Sequence, residues 1–425
     1  MSVFEKLVKT YDKSLNYDGV DGERLANRID TLSKIGASPG GGVTRIGFSD
    51  EEKEAKAEVI TWMKEAGLTV ETDGVGNVFA RFKGKDDHSS IASGSHVDSV
   101  PEGGNFDGPL GVLAALEVVE AWKTEGFIPE KSFEVVIFSD EEGSRFNSGI
   151  FGSRSYMGLV DEASQSLLKD NNGRTLEEVL DHYGTSIDEY RSVKKRDWEF
   201  FAELHIEQGK VLEKNNQPAG VVSGIAGPAW LEVEFKGVAG HAGNTPMNDR
   251  KDALVAAGQF VSEIESLPGT VSETAVTTVG KLEVYPNGAN VIPESVKMIV
   301  DIRDIFKETR DEVLKLVENK AQNISGQRGI EVSLSTTTKI TPVPIAEEYR
   351  AEIAGILKEM EIEPLEIPSG AGHDSMIIGS EIPVAMIFAR SENGISHNPE
   401  EWTTLNDCVT SVHVLKEFIE KQMTK

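Results

Sequence analysis

Between Ser223 and Thr338 the chain reads AWLEVEFKG, then RKDALVAAGQFVSEIESL, TAVTTVGKLEVYP, ESVKMIVDIRD, KETRDEVLKLVENKAQNIS and EVSLSTTTK. Period-two alternation in the first, third, fourth and last of these, and helical spacing in the other two, give the order β-α-β-β-α-β. That order forms a small antiparallel sheet with two helices on one face, a split βαβ or ferredoxin-like unit that folds on its own. The flanking segments have another texture. Residues 20 to 225 alternate helices, such as SDEEKEAKAEVITWMKEAG and LGVLAALEVVEAWKTEG, with short β-branched runs, and the same pattern resumes after residue 338. Alternation of this kind builds an α/β domain with a largely parallel sheet. The expectation is an α/β domain over 1–222 and 339–425, interrupted by an inserted α+β domain over 223–338. A length of 425 residues is enough for two cores.

Charge narrows the partners. The chain has 71 acidic against 43 basic residues, a formal net charge of −28, which opposes binding to phosphate backbones and anionic membranes. Nucleic acid and membrane are therefore not expected as partners, and no run approaches the ~18 apolar residues of a membrane span. The opening MSVFEKLVKTYDKSLNYDG is mixed in charge and lacks the apolar core of a secretory signal, so a cytoplasmic location is expected. The single cysteine, Cys408, can form neither an internal disulfide nor a thiolate cage, and reads as a small buried apolar residue. The stretch GASPGGGVTRIG lacks the Lys-Ser/Thr ending of a phosphate loop and follows no clear strand.

Three runs, SSIASGSH, SFEVVIFSDEEG and FFAELHIEQG, pass from apolar residues straight into polar turns. In open α/β sheets functional groups gather outside the carboxyl ends of the strands, where these turns would lie. His96 ends the first run, and Asp98 two positions later suits a carboxylate that fixes the His96 tautomer. Asp107 sits in Asn-Phe-Asp-Gly at the start of a helix. The second run ends in three adjacent carboxylates, Asp140, Glu141 and Glu142, whose repulsion needs protons or cations to offset it. His205 follows the third run, and His397 follows an apolar strand, IPVAMIFARS, near the C-terminus. Imidazoles and carboxylates converging from four strand ends have the ligand chemistry of zinc or manganese.

These segments resemble the dinuclear-metal amidohydrolases of the aminoacylase and glutamate carboxypeptidase clan. The likeness is closest to the branch with N-carbamoyl-L-amino acid hydrolases, allantoate amidohydrolases and β-ureidopropionases. It rests on GSHVDSVPEGGNFDGPLG, SDEEGSRF, ELHIEQG, AGHAGNTPM, NGANVIPE with VDIRD, and PSGAGHDS followed by MIFARSENGISHNPEEW. The resemblance implies two divalent ions per subunit, of zinc, manganese, cobalt or nickel, bridged by Asp107. His96 and His205 complete one ion, and Glu142 and His397 the other. It implies Glu141 as the unligated general base, and His241, Gln208, Asn290 and Arg303 around the substrate. Arg303 and Asn290 suit an α-carboxylate, because a guanidinium grips it through two parallel N–H bonds. Gly370, Ala371 and Gly372 look like a substrate-side backbone turn, whereas His373 and Asp374 fit a structural pair as well as a catalytic one.

The resemblance further implies that the inserted domain is a lid that pairs two subunits, with His241 reaching the partner's site. The expected reaction is hydrolysis of the ureido C–N bond of N-carbamoyl-L-amino acids to the amino acid, carbon dioxide and ammonia. Allantoate or ureidoglycolate amidohydrolase, β-ureidopropionase, aminoacylase and dipeptidase are alternatives on the same scaffold. A silent ligand-binding protein is the alternative of another class, and a free base beside a full ligand set argues against it.

Overall fold

The structure is a computed structural model that describes residues 1–160, 167–185 and 195–425. In chain order its longer strands begin with β1 (Thr69–Thr72), β2 (Val78–Phe82), β3 (Asp86–His96), β4 (Lys131–Phe138), β5 (Trp198–Ile206) and β6 (Ala219–Ile225). They continue with β7 (Gly227–Lys236), β8 (Val276–Tyr285), β9 (Ser295–Asp304), β10 (Glu331–Lys339), β11 (Glu366–Ser369) and β12 (Val384–Ala389). The chain divides into two compact units. The first comprises Met1–Val222, Ile345–Ile367 and His373–Lys425, and the second Ser223–Pro344 with Pro368–Gly372.

In the first unit the strands lie in the order β1-β2-β4-β3-β5-β12-β6. The four central strands, β4, β3, β5 and β12, are parallel, while β2 runs antiparallel to β4 and to β1, and β6 runs antiparallel to β12. This is an α/β fold with a large, mostly parallel sheet. Its central strands are covered on both faces, which is why SFEVVIF and VAMIFA are buried from end to end. The helix Pro109–Glu125 is apolar almost all round because it is a core helix, packed on β3, on β5 and on the last helix, Leu405–Met423. Parallel alignment sends the ends of all four central strands to one edge of the sheet. His96 is the last residue of β3, His205 is one short of the end of β5, and the Asp140-Glu141-Glu142 turn follows β4.

The second unit has a four-stranded antiparallel sheet in the order β10-β7-β9-β8. Alternate residues, Leu231, Val233 and Phe235 of β7 and Met298, Val300 and Ile302 of β9, enter one core with Phe260 and Val317 of the helices Ala253–Ile264 and Lys307–Arg328. The residues between them, Glu232 and Glu234 among them, take the opposite face, as a period of two requires. The insertion ends later than residue 338. Ile340 donates to Pro228 O, which keeps the chain beside β7 past residue 338, and the second unit extends to Pro344. Pro368–Gly372 also belongs there, since Ala226 donates to Ser369 O and Arg303 to Gly370 O. Among the described residues no helix is long and apolar enough to cross a membrane.

Candidate metal centre

The sheet aims His96 and His205 beyond its carboxyl edge. Each ring turns Nδ1 to a backbone carbonyl, Asp98 O at 3.1 Å for His96 and Ile206 O at 3.0 Å for His205. A carbonyl can only accept, so Nδ1 carries the proton and Nε2 keeps its lone pair for an ion. His205 Nε2 stands 3.1 Å from Asp107 Oδ1, and His96 Nε2 stands 3.8 Å from the same oxygen. Around the other oxygen, His397 Nε2 lies 3.3 Å from Asp107 Oδ2 and 3.4 Å from Glu142 Oε2. Two triads thus share one carboxylate: His96, Asp107 and His205, and Asp107, Glu142 and His397. The candidate ligand atoms of each lie within 4.8 Å of one another.

Asp107 is held from several sides. Gly108 follows it at φ +81°, and a Cβ there would lie 2.4 Å from the His96 ring, so only glycine lets the turn pass beneath the imidazole. Pro109 then starts the helix, where its missing N–H costs nothing. Glu401 Oε1 accepts the N–H of Phe106 at 2.8 Å and of Asp107 at 3.1 Å. Ser396 Oγ and Gln208 Nε2 both donate to Asp107 Oδ2, at 2.6 and 2.7 Å. Gln208 therefore touches the shared carboxylate. Sequence reading passed over Ser396 and Glu401. Gly104 makes room for this support, because a Cβ there would strike the Glu401 side chain at 2.0 Å.

Asp98 contacts both His96 and the acidic turn. Its carboxylate accepts the backbone N–H of Glu141 at 3.2 Å and of Glu142 at 3.1 Å, while Oδ1 is 3.5 Å from His96 Nδ1. The backbone oxygen of Asp98 is the closer partner of His96, and its side chain fixes the acidic turn. Glu142 joins the second triad, and Glu141 belongs to neither, with Oε2 3.7 Å from His96 Nε2.

Electrostatics test whether cations fit. Burial above all, with Asp374, Glu142 and Asp98 adding to it against the pull of His96, holds the Glu141 carboxyl well above its usual range. Burial and then Asp107 push Glu142 up to about 7. The hydrogen bond to Asp107 leads in raising His397 to about 9. Burial disfavours a charged His96, but Glu141, Asp98 and Glu142 outweigh it and raise its pKa. Acids that retain protons beside histidines that gain them are what a cluster short of positive charge shows. Two nitrogen-and-oxygen triads around one carboxylate fit two divalent ions.

The remaining predicted residues divide between the units. His373 and Asp374 are in the first. The His373 ring lies 4.4 Å from that of His205, and fully buried Asp374 accepts from Ser153 Oγ at 2.6 Å. Burial first, then Glu203, pushes Asp374 up to about 8. His241, Asn290, Arg303 and Gly372 are in the second unit. His241 pairs with Val291 in a two-residue ladder, and Ala242 donates to Asn290 O, so His241 and Asn290 are neighbours. The helix that begins at Ala253 is capped by Asp252, not by His241. Arg303 directs Nε and Nη2 to Asp301 and Nη1 to Gly370 O at 2.6 Å, which joins it to the turn containing Gly372.

Residues 92–421 match the model of peptidase family M20/M25/M40. The chain belongs to that family. It is 43% identical over 407 residues to the N-carbamoyl-L-amino-acid amidohydrolase of Pseudomonas sp. (strain NS671), covering 94% of this chain and 98% of that one. It is 34% identical to the allantoate amidohydrolase of Bacillus subtilis, covering 93% and 97%. Among solved structures, an amidase of the hydantoinase/carbamoylase family from Burkholderia multivorans superposes with a TM-score of 0.88 at 33% identity, over 96% of this chain and 99% of that one.

Proposed function

We propose that this amidohydrolase cleaves the ureido C–N bond of N-carbamoyl-L-amino acids, releasing the amino acid, carbon dioxide and ammonia. The observation that carries the reading is Asp107 shared between two ligand triads, with Glu141 beside them in neither. His96, Asp107 and His205 would hold one divalent ion, and Asp107, Glu142 and His397 the other. Bound there, the ions supply Lewis acidity toward water and the ureido oxygen.

Glu141 then moves the proton. Its carboxylate, already raised in basicity by burial, takes a proton from the attacking water and returns it to the leaving nitrogen. His241 donates to the developing oxyanion. Arg303 has five N–H groups, and its bonds to Asp301 and Gly370 leave one on each terminal nitrogen. That two-pronged remainder suits the α-carboxylate, with Asn290 as a further donor.

The proposal includes a cytoplasmic homodimer. The one cysteine, Cys408, can form no internal disulfide, which suits a reducing compartment. Strand β8 is an edge strand with Val276, Leu282 and Tyr285 exposed, a surface on which a second copy can add.

A panel of N-carbamoyl-L-amino acids, N-carbamoyl-β-alanine, allantoate, N-acetyl amino acids and dipeptides on metal-loaded enzyme tests the reading. The highest kcat/KM should fall on an N-carbamoyl-L-amino acid. A higher value for allantoate would favour the second reading, which the Bacillus subtilis relative supports.

A further inference from the structure

The loop after His241 fixes which ring nitrogen holds the proton. Gly243 N–H and Asn244 N–H both point at His241 Nδ1, at 3.1 and 3.2 Å. Two donors sharing that lone pair require Nδ1 to be an acceptor, so the proton of the neutral ring is on Nε2. Nε2 has no hydrogen bond to any described residue, and the side chain is exposed.

Arg250 holds this arrangement from behind. Its Nη2 donates to Ala242 O at 2.6 Å and to Thr245 O at 3.0 Å, and its Nε to Thr245 O at 3.1 Å. Ala242 C=O and Gly243 N–H are the two ends of one peptide plane. A guanidinium on the oxygen therefore sets the direction of the N–H and polarises it toward Nδ1. Ala242 N–H to Asn290 O, and Asn244 and Thr245 N–H to His241 O, fix the rest of the loop.

We propose that Arg250 is a positioning residue that locks His241 as its Nε2–H tautomer, making it a hydrogen-bond donor rather than a base. This deepens the reading above, on which it rests for the oxyanion as the acceptor. The lock itself is a property of the free protein.

Long-range 1H–15N spectra of the protein labelled with 15N-histidine, with His241 assigned by its loss in His241→Gln, read the tautomer without substrate. Wild type should show the proton on Nε2 alone. In Arg250→Met both nitrogens should move toward an average of two tautomers, and kcat should fall at unchanged KM. Arg250→Lys, which can still reach Ala242 O, should lie between them, and it carries the test if the Met variant does not fold. A proton on Nδ1 in wild type, or an unchanged His241 spectrum in a folded Arg250 variant, would overturn the lock. Gln places an N–H donor where Nε2 stands but has no basic ring, so kcat of His241→Gln should exceed that of His241→Ala about tenfold or more. Equal loss in the two would overturn the donor role. If no substrate of the panel is turned over, the proposed function fails while the spectra still decide the lock.

Discussion

Glu401 Oε1 accepts the N–H of Asp107 at 3.1 Å across a sequence separation of 294 residues, and the same oxygen holds Phe106 N–H at 2.8 Å. The C-terminal block thus supplies His397 to the second candidate triad and also the support of the shared carboxylate. Glu401→Ala leaves two buried N–H groups without a partner, each costing about 1–3 kcal/mol. It should lower Tm and weaken metal binding about 10–100-fold. Glu401→Gln keeps an acceptor oxygen and should retain most of both. Equilibrium dialysis with metal analysis gives the affinities, and equal affinity for Ala and wild type would remove Glu401 from the support of Asp107.

The gathering of His96, His205 and the acidic turn at one edge was legible in their runs, because strand ends in a parallel sheet converge. The supports were not. Ser396 and Glu401 act on Asp107 through hydrogen bonds across nearly 300 residues, which no local pattern encodes. Gln208 and His397 adopt φ near +55° and +53°, so extended spacing misjudges their direction. Asp98 shows the same limit: spacing of two put its carboxylate near His96, where Oδ1 is 3.5 Å from Nδ1, but it did not reveal that the same carboxylate accepts the N–H groups of Glu141 and Glu142 from a distant turn. The second unit followed from its β-α-β-β-α-β order, but its end did not, since the hydrogen bond from Ile340 to Pro228 O is long-range.

Glu141→Gln should keep both ions and lose roughly 10²–10⁴ in kcat, since it removes proton transfer and leaves both triads intact. Metal content per subunit decides between this residue and its neighbour. Loss of an ion from Glu141→Gln, with retention in Glu142→Gln, would mean that their roles are exchanged.

Arg303→Lys keeps the charge and loses the fork that reaches Asp301, Gly370 and, in the proposed function, a carboxylate. KM for N-carbamoyl amino acids should rise while metal content stays the same. Normal kcat/KM in this variant would rule out Arg303 as the carboxylate clamp.

Metal affinity should fall as the pH falls. In the metal-free protein His397 is raised to about 9 and Glu142 to about 7, so between these values the histidine holds a proton, and below about 7 the carboxyl does too. An ion needs neutral imidazole and ionised carboxylate, so binding must expel those protons. Calorimetry in buffers of different ionisation enthalpy should show proton release on binding near pH 7.5. His397→Ala should release fewer protons. Binding with no proton release at that pH would contradict the charge state drawn from the geometry.

His241 provides the test of subunit sharing, because it lies in the second unit, Ser223–Pro344, and the metal triads lie in the first. In the proposed homodimer the imidazole serves the partner's site. Removing this one donor should cost about 10²–10³ in kcat with metal content and dimerisation intact. The stronger experiment mixes His241→Ala with Glu141→Gln protein under conditions that allow subunits to exchange. Should His241 act in trans, each mixed dimer contains one site with both lesions and one with neither. Activity should then return toward half of wild type per mixed dimer. Should it act within its own chain, every site carries one lesion and the mixture stays as inactive as its parts. Analytical ultracentrifugation, with a mass tag on one variant, establishes that mixed dimers have formed. Persistent inactivity after exchange would therefore eliminate the shared site, even for an enzyme that is dimeric.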